Sequence, residues 1–566
     1  MLPKRNDMTK QCIQCNKTFR IDDQDCAFYK KIDVPPPYAC PACRMMHIMV
    51  WRNERTFYPS SCTRCHTPII ACFAPNVPFP ILCNECWWSN EFDPLATGRD
   101  FDFSRPFFEQ FSKLINITPV GNLFIANSEN SEYSQLSVGN KNCYMILASD
   151  YNENSLYLDN SNHNKDAGDL SFSNKSELSH ASVDIYESYG CHYSQNLKNC
   201  NSCMGCVDCG GSSNLLGCIG IRNGSYMIFN KQYSKESYEQ KKRALRLDTY
   251  SGMQQFLAEC QNFVLKYPRK YSYLMNCQGS SGNYLTNSSS CVECFDMSES
   301  QDCKYSIFSY KTKDAYDIYG APGTELTYYS CAIPENYNIH FSAIIWPGST
   351  NVYYSYLCRT ARNCFGCVSL HNNEFCILNK QYTEKDYQAM TKKIKSHMKA
   401  TGEWGNFFPM HISPWAYNET IAYDYYRKDK TTVESIGARW QDQAVGQFGN
   451  ETLNQQNIPD AISEVPGSIV KEILACQDCG RNYKIIESEL KFYKKLCVPL
   501  PRLCPTCRYH NRIALRNPRA LWTRQCMCTQ TDHHHEGRCQ TNFETTYSPD
   551  RKEIVYCEEC YQKEIY

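Results

Sequence analysis

No stretch of the 566-residue chain approaches the ~18 consecutive apolar residues that a membrane helix needs, so no membrane partner is expected. Net charge is missing too: 59 Lys and Arg balance 59 Asp and Glu. That argues against a simple polyanion binder and leaves room only for local patches. The first residues, Met1 to Lys10, have no apolar core of the kind a secretion signal requires, and a cytoplasmic location is expected. The chain also lacks a phosphate loop, an H-E-x-x-H helix and a serine in a strand–turn–helix context. No catalytic residue is assigned.

What the chain has in abundance is cysteine, 37 in all. Near the start the pairs are Cys12 and Cys15, Cys40 and Cys43, Cys62 and Cys65, Cys83 and Cys86. Near the end Cys476, Cys479, Cys504 and Cys507 repeat the first four at a constant offset of 464. The match continues through Phe28-Tyr29-Lys30-Lys31 and Phe492-Tyr493-Lys494-Lys495, and through Arg44, Asn53 and Arg55 against Arg508, Asn517 and Arg519. The two ends are copies of one module. Cys62 maps to Cys526 at the same offset, but Cys83 and Cys86 map to Cys557 and Cys560 at 474, so ten residues are inserted between. Placing the insertion directly after the first ligand makes Cys539 the partner of Cys65. The fourth site is then Cys526, Cys539, Cys557 and Cys560, with Cys528 and His533 to His535 in a loop expected to be solvated, a substitute ligand in the His run being the alternative. Paired thiolates on tight knuckles close a tetrahedron with no open position, the chemistry of structural zinc. About four zinc ions are expected, with a rubredoxin-like iron as the rival metal.

Between these ends lies a repeat. Phrases rich in Asn, Ser, Tyr, Cys and Gly begin near Asp302, Asp314, Glu325, Asn338, Asn351 and Asn363, every 11 to 13 residues. Alternation within a short fixed period implies stacked coils of strand, a β-solenoid. The block is itself doubled at an offset of 148 to 149: Cys143 pairs with Cys291, His192 with His340, and Asn230-Lys231-Gln232-Tyr233 with Asn379-Lys380-Gln381-Tyr382. After the markers come helical patterns, one capped by Thr383 and Asp386 and one with Phe256, Leu257, Cys260, Phe263 and Val264 on one face.

The expected fold is therefore mainly β with short helices: a duplicated β-solenoid flanked at each end by a pair of zinc ribbons. The segments are 1–98, the N-terminal double ribbon; 99–129, a connector; 130–240, the first solenoid half; and 241–272, a helical insert. Residues 273–400 hold the second half and its helix, 401–470 an aromatic cap and linker, and 471–566 the C-terminal double ribbon. Within the first half Cys200, Cys203, Cys206 and Cys209 are spaced by three. Stacked structural cysteine is the favoured reading, and an additional metal or iron–sulfur site the alternative.

The chain resembles a family of uncharacterised zinc-ribbon proteins of candidate-phyla bacteria. The resemblance rests on the Phe28–Lys31 ribbon, on Asp100-Phe101-Asp102-Phe103-Ser104-Arg105-Pro106-Phe107-Phe108 and on the two Asn-Lys-Gln-Tyr markers. Gly402-Glu403-Trp404-Gly405 and the tail Ile554 to Tyr561 add to it. It implies a shared fold and zinc binding, and no activity.

Charge separates the two ends. From Cys476 to Cys526 eleven basic residues face three acids, whereas Cys12 to Cys62 has seven against five. Arg508, Arg512, Arg516, Arg519 and Arg524, beside Tyr509, His510 and Trp522, read as phosphate contacts with stacking partners. The sequence thus predicts a non-catalytic protein binding RNA or a ribonucleoprotein through its C-terminal ribbons. The alternative is a protein-assembly scaffold anchored by solenoid tyrosines. A metal- or thiol-dependent enzyme in a solenoid groove ranks third.

Overall fold

The computed structural model describes residues 8–131, 133–442 and 446–565; most of the polar start at Met1 to Lys10 lies outside them. The chain forms two compact units. One comprises residues 1–123, 272–443 and 519–521, the other 124–271, 444–518 and 522–566. Each therefore joins the bulk of one ribbon module to one solenoid half.

The solenoid, about 21 coils in all, is built from a three-residue rhythm. Every third residue along most of it is left-handed, for example Asn196, Asn199, Ser202, Gly205 and Asp208 at φ between 54° and 63°. That conformation is costly for most side chains and tolerated by Asn, Asp and Gly, which explains the composition. The residue after each left-handed one points inward, and these are small or aliphatic: Ser194, Leu197, Cys200, Cys203, Cys206 and Cys209 are all buried. Four such triads make one turn, so neighbouring strands pair in parallel twelve residues apart, as in Leu156 with Gly168 and Gly168 with His180. In the second half the step is 11 at Leu274 with Leu285 and 13 at Tyr337 with Thr350. The 11-to-13 spacing expected from the phrases is what the ladder shows.

So thin a core cannot be wholly apolar, and many of its polar side chains bond to the backbone. Ser149 Oγ accepts from Ser161 N at 2.8 Å and Ser161 Oγ from Ser173 N at 3.0 Å. Asn140, Asn152 and Asn164 form a second buried column: Asn140 Oδ1 accepts from Asn152 N and Asn152 Oδ1 from Asn164 N, both at 2.9 Å, and Asn164 Oδ1 from Ser176 N at 3.0 Å.

In the first unit the helix Glu384–Ala400 carries the Thr383 cap, whose Oγ1 accepts from Asp386 N at 3.2 Å. Trp404 packs on Phe341 and Tyr354, and Phe408 stacks on Phe111 at 4.6 Å. In the second unit the helix Tyr250–Val264 lays Phe256 and Cys260 on Gly205 and Gly217 of the coil. Asn450 to Pro466, within the expected linker, is packed: Ile458, Ile462 and Val465 enter the core beside Leu490. Three apolar residues at short intervals are enough to fasten a polar run. Among the described residues no helix is long and apolar enough to cross a membrane.

Candidate metal centres

Each ribbon pair begins with a hairpin whose turn presents two cysteines. In the first, Met8–Gln11 pairs with Thr18–Ile21 and the turn holds Cys12 and Cys15. The second pair of ligands comes from a helix start: Cys40 is the N-cap of Pro41–Met49, which carries Cys43 in its first turn. Cys83 caps Asn84–Trp88 and Cys504 caps Pro505–Ala514 in the same way. The amide ends of these helices favour anionic sulfur.

Four groups of four thiols converge: Cys12, Cys15, Cys40 and Cys43; Cys62, Cys65, Cys83 and Cys86; Cys476, Cys479, Cys504 and Cys507; Cys526, Cys539, Cys557 and Cys560. Each could hold a metal ion, and the last includes Cys539 in the place of Cys65. Sulfur separations of 3.6 Å for Cys15 and Cys40, 3.7 Å for Cys65 and Cys83, and 3.8 Å for Cys479 and Cys504 test the fit. A tetrahedron with metal–sulfur bonds of about 2.3 Å has edges of about 3.8 Å. Backbone amides also point at the sulfurs: Cys40 N reaches Cys12 Sγ at 3.2 Å and Cys557 N reaches Cys526 Sγ at 3.2 Å. The residues fit a tetrahedral thiolate-bound ion.

The inserted loop is exposed at Thr531, Asp532, His534 and Glu536, as expected, but not throughout. Cys528 is buried and the His533 side chain is only 4 % exposed. Together with His535 and Cys560 they make a fifth converging group.

Cys200, Cys203, Cys206 and Cys209 occupy four successive inward positions. Among the described residues they do not form such a group. Their environment has the opposite polarity, because carbonyls face the sulfurs. Cys200 Sγ donates to Lys198 O at 3.5 Å, Cys203 Sγ to Asn201 O at 3.4 Å and Cys206 Sγ to Met204 O at 3.3 Å. Serines do the same elsewhere in the coils, as Ser188 Oγ does to Tyr186 O at 2.9 Å. Burial pushes the Cys206 thiol far above its ordinary range. These side chains fill the core. His340 is likewise buried and His192 half-buried, and desolvation lowers both to about 3.

The basic stripe needs correction. Arg508, Arg512, Arg516 and Arg519 were expected to face phosphate, yet their side chains are only 9, 7, 7 and 8 % exposed. Arg508 Nε lies 3.1 Å from Asp169 Oδ2, and its Nη2 lies 3.2 Å from Glu489 Oε1. Arg512 Nη1 is 2.6 Å from Asp169 Oδ1, and Arg516 Nε 3.0 Å from Asp184 Oδ2. In the other unit Arg519 Nη2 is 3.0 Å from Asp296 Oδ2. Arg524, half-buried, donates to the Ser548 carbonyl at 3.3 Å. The charge of Arg508, Arg512, Arg516 and Arg519 is met inside the protein, by Glu489 and by Asp169, Asp184 and Asp296 hundreds of residues away in the chain.

The same seam exists on the other copy. Arg44 pairs with Asp317, and Lys31 with Asp314 as Lys495 pairs with Asp166. Phe28 stacks on Tyr316 with centroids 3.9 Å apart. Gly168 stands where Tyr316 does in the other copy, and a Cβ there would lie 2.6 Å from the Phe492 ring. Each ribbon module is a clamp on its own solenoid half. A scan against protein-family models and a search of curated proteins found no match to the chain.

Proposed function

We propose that this is a zinc-clamped, non-catalytic scaffold that binds a protein partner through the solenoid surface its ribbons leave free. Four-thiolate groups leave no coordination position for water or substrate, so zinc there serves the fold. Thirty-seven cysteines without a disulfide among the described residues suit a reducing compartment. The observation that carries the reading is a pair of tyrosines. Several solenoid tyrosines, Tyr316, Tyr328 and Tyr356 among them, are buried, but Tyr189 and Tyr337, equivalent at the 148-residue offset, stand 45 % and 46 % exposed. Tyr186 is exposed in the same coil as Tyr189, and Tyr310 is exposed some two coils before Tyr337. Repeated outward tyrosines on a rigid polar ladder are the anchors a partner surface uses.

Affinity purification of the tagged full chain from its native cells tests this. A partner retained at about 1 M salt, where ionic contacts are screened, and lost from the Tyr189→Ala/Tyr337→Ala variant is expected. Recovery that is abolished by salt, or unchanged in the variant, would sink the scaffold reading.

A further inference from the structure

The last ribbon holds more ligands than one ion can use. We propose that it binds a second zinc ion at Cys528, His533, His535 and Cys560, with the Cys560 thiolate bridging to the ion held by Cys526, Cys539 and Cys557. This rests on the reading of the ribbons as metal-bearing. The four ligand atoms lie within 4.8 Å of one another. Cys528 Sγ is 3.1 Å from His533 Nδ1, and Cys560 Sγ is 3.4 Å from His535 Nε2. A tetrahedral zinc with one sulfur at about 2.3 Å and one nitrogen at about 2.05 Å sets these edges near 3.6 Å. The observed pairs are already close to that.

The outer contacts of both histidines assign their ligand atoms. His535 Nδ1 donates to Gly537 O at 3.0 Å, which fixes the tautomer and leaves the Nε2 lone pair turned to Cys560. His533 Nε2 faces the Glu564 carboxylate at 4.0 Å, leaving Nδ1 for the metal. A carboxylate or carbonyl behind the imidazole is the usual support of a metal-bound histidine. The sulfurs and the Cys528 side chain are sealed in one small core with Tyr556 and Tyr561.

Charge favours the pair of ions over one. A zinc bound by four thiolates carries about −2, and adding a zinc, one further thiolate and two neutral imidazoles through a shared sulfur brings the cluster to about −1. The first copy of the module is an internal control. Its Cys62-Thr63-Arg64-Cys65 knuckle has none of the inserted residues, so it supplies no counterpart to Cys528, His533 or His535. The ten-residue insertion is thus what brings the extra ligands.

Metal content of the zinc-saturated full chain tests the proposal directly. About five equivalents of zinc are expected in the wild type and about four in the His533→Ala/His535→Ala variant, whose four-cysteine sites are intact. Cadmium-113 spectra of the cadmium-exchanged wild type should show two resonances split by coupling through the Cys560 sulfur, a result that needs no variant. Four equivalents in both proteins, or five in both, would overturn the second site. A chain with no zinc, or with iron, would instead overturn the reading of the ribbons themselves.

Discussion

Arg44 Nε lies 2.9 Å from Asp317 Oδ2, and its copy Arg508 lies 3.1 Å from the equivalent Asp169, all four side chains sealed from water. In both cases the guanidinium also lies over a tyrosine ring, Tyr305 at 5.4 Å and Tyr157 at 4.7 Å. A duplicated ribbon on a duplicated coil has thus kept a buried ion pair and its aromatic floor through two separate offsets. The copies differ in the charges that surround the carboxylate. Asp169 faces both Arg508 and Arg512, which hold its carboxyl far below the ordinary range despite burial. Asp317 faces Arg44 with no second arginine, because Ile48 stands where Arg512 would be, and burial pushes it up to about 6.

Replacing one partner of such a pair leaves a charge stranded. Arg44→Met should destabilise the protein by about 3–5 kcal/mol, measured as a lowered guanidinium midpoint with zinc present. Adding Asp317→Asn should restore a large part of the loss, since the stranded carboxylate is then gone. Equal stability of the single and double variants would show that Asp317 is not held by Arg44.

Cysteine should matter by location. Cys40→Ser removes a convergent ligand and is expected to cost the protein one metal equivalent and the order of the first ribbon. Cys203→Ser places a hydroxyl where Cys203 Sγ now donates to Asn201 O at 3.4 Å, a role serine fills in neighbouring coils. Its metal content should be unchanged and its stability within about 1.5 kcal/mol of wild type. Loss of metal from Cys203→Ser would contradict the core assignment.

The stacked architecture and the four cysteine groups were legible because both are written in spacing: C-x-x-C for the knuckles and a twelve-residue phrase for the coils. The triad beneath the phrase was legible too, had left-handed preference been sought. Asn199-Cys200, Ser202-Cys203, Gly205-Cys206 and Asp208-Cys209 each put a left-handed residue before an inward one. The four cysteines therefore mark the solenoid rhythm and not a ligand set. The arginines could not be read this way. Arg508 and Asp169 are 339 residues apart, and local composition records charge density but not the carboxylate that meets it. The same holds for Cys528, whose partners were set aside as a loop by aligning it to a copy that lacks them.

Close packing at Gly168 gives a prediction confined to one copy. A Cβ there would press on the Phe492 ring, so Gly168→Val should destabilise by about 1–3 kcal/mol. Tyr316, the equivalent residue, stacks on Phe28 instead, and Tyr316→Val should lose that contact without overcrowding. Truncating the ring in the background of the first variant, as Gly168→Val/Phe492→Leu, should recover stability. A double variant no better than the single would place the cost elsewhere.

Acid should weaken the fold through its buried histidines as well as through its metal ligands. His340 is sealed beside Asn338 Oδ1, 2.6 Å from its Nε2, and desolvation lowers it to about 3. His47, between Phe408 O at 2.6 Å and the Tyr329 hydroxyl at 3.2 Å, is lowered to about 4. An unfolded chain takes up a proton at each below about pH 6.5, while the folded chain does not until pH falls to the depressed value. Between those limits the unfolded state binds more protons, so stability rises with pH and is lost as pH falls. At pH 4.5 each histidine has cost about two units, or roughly 2.7 kcal/mol. His340→Gln keeps a donor to Asn338 but cannot titrate. Its stability should therefore fall less between pH 7 and pH 4.5 than that of the wild type, by about that amount, in denaturant titrations at saturating zinc. Metal loss is common to both proteins and cancels in the difference. Parallel pH curves would mean that His340 is already protonated in the fold.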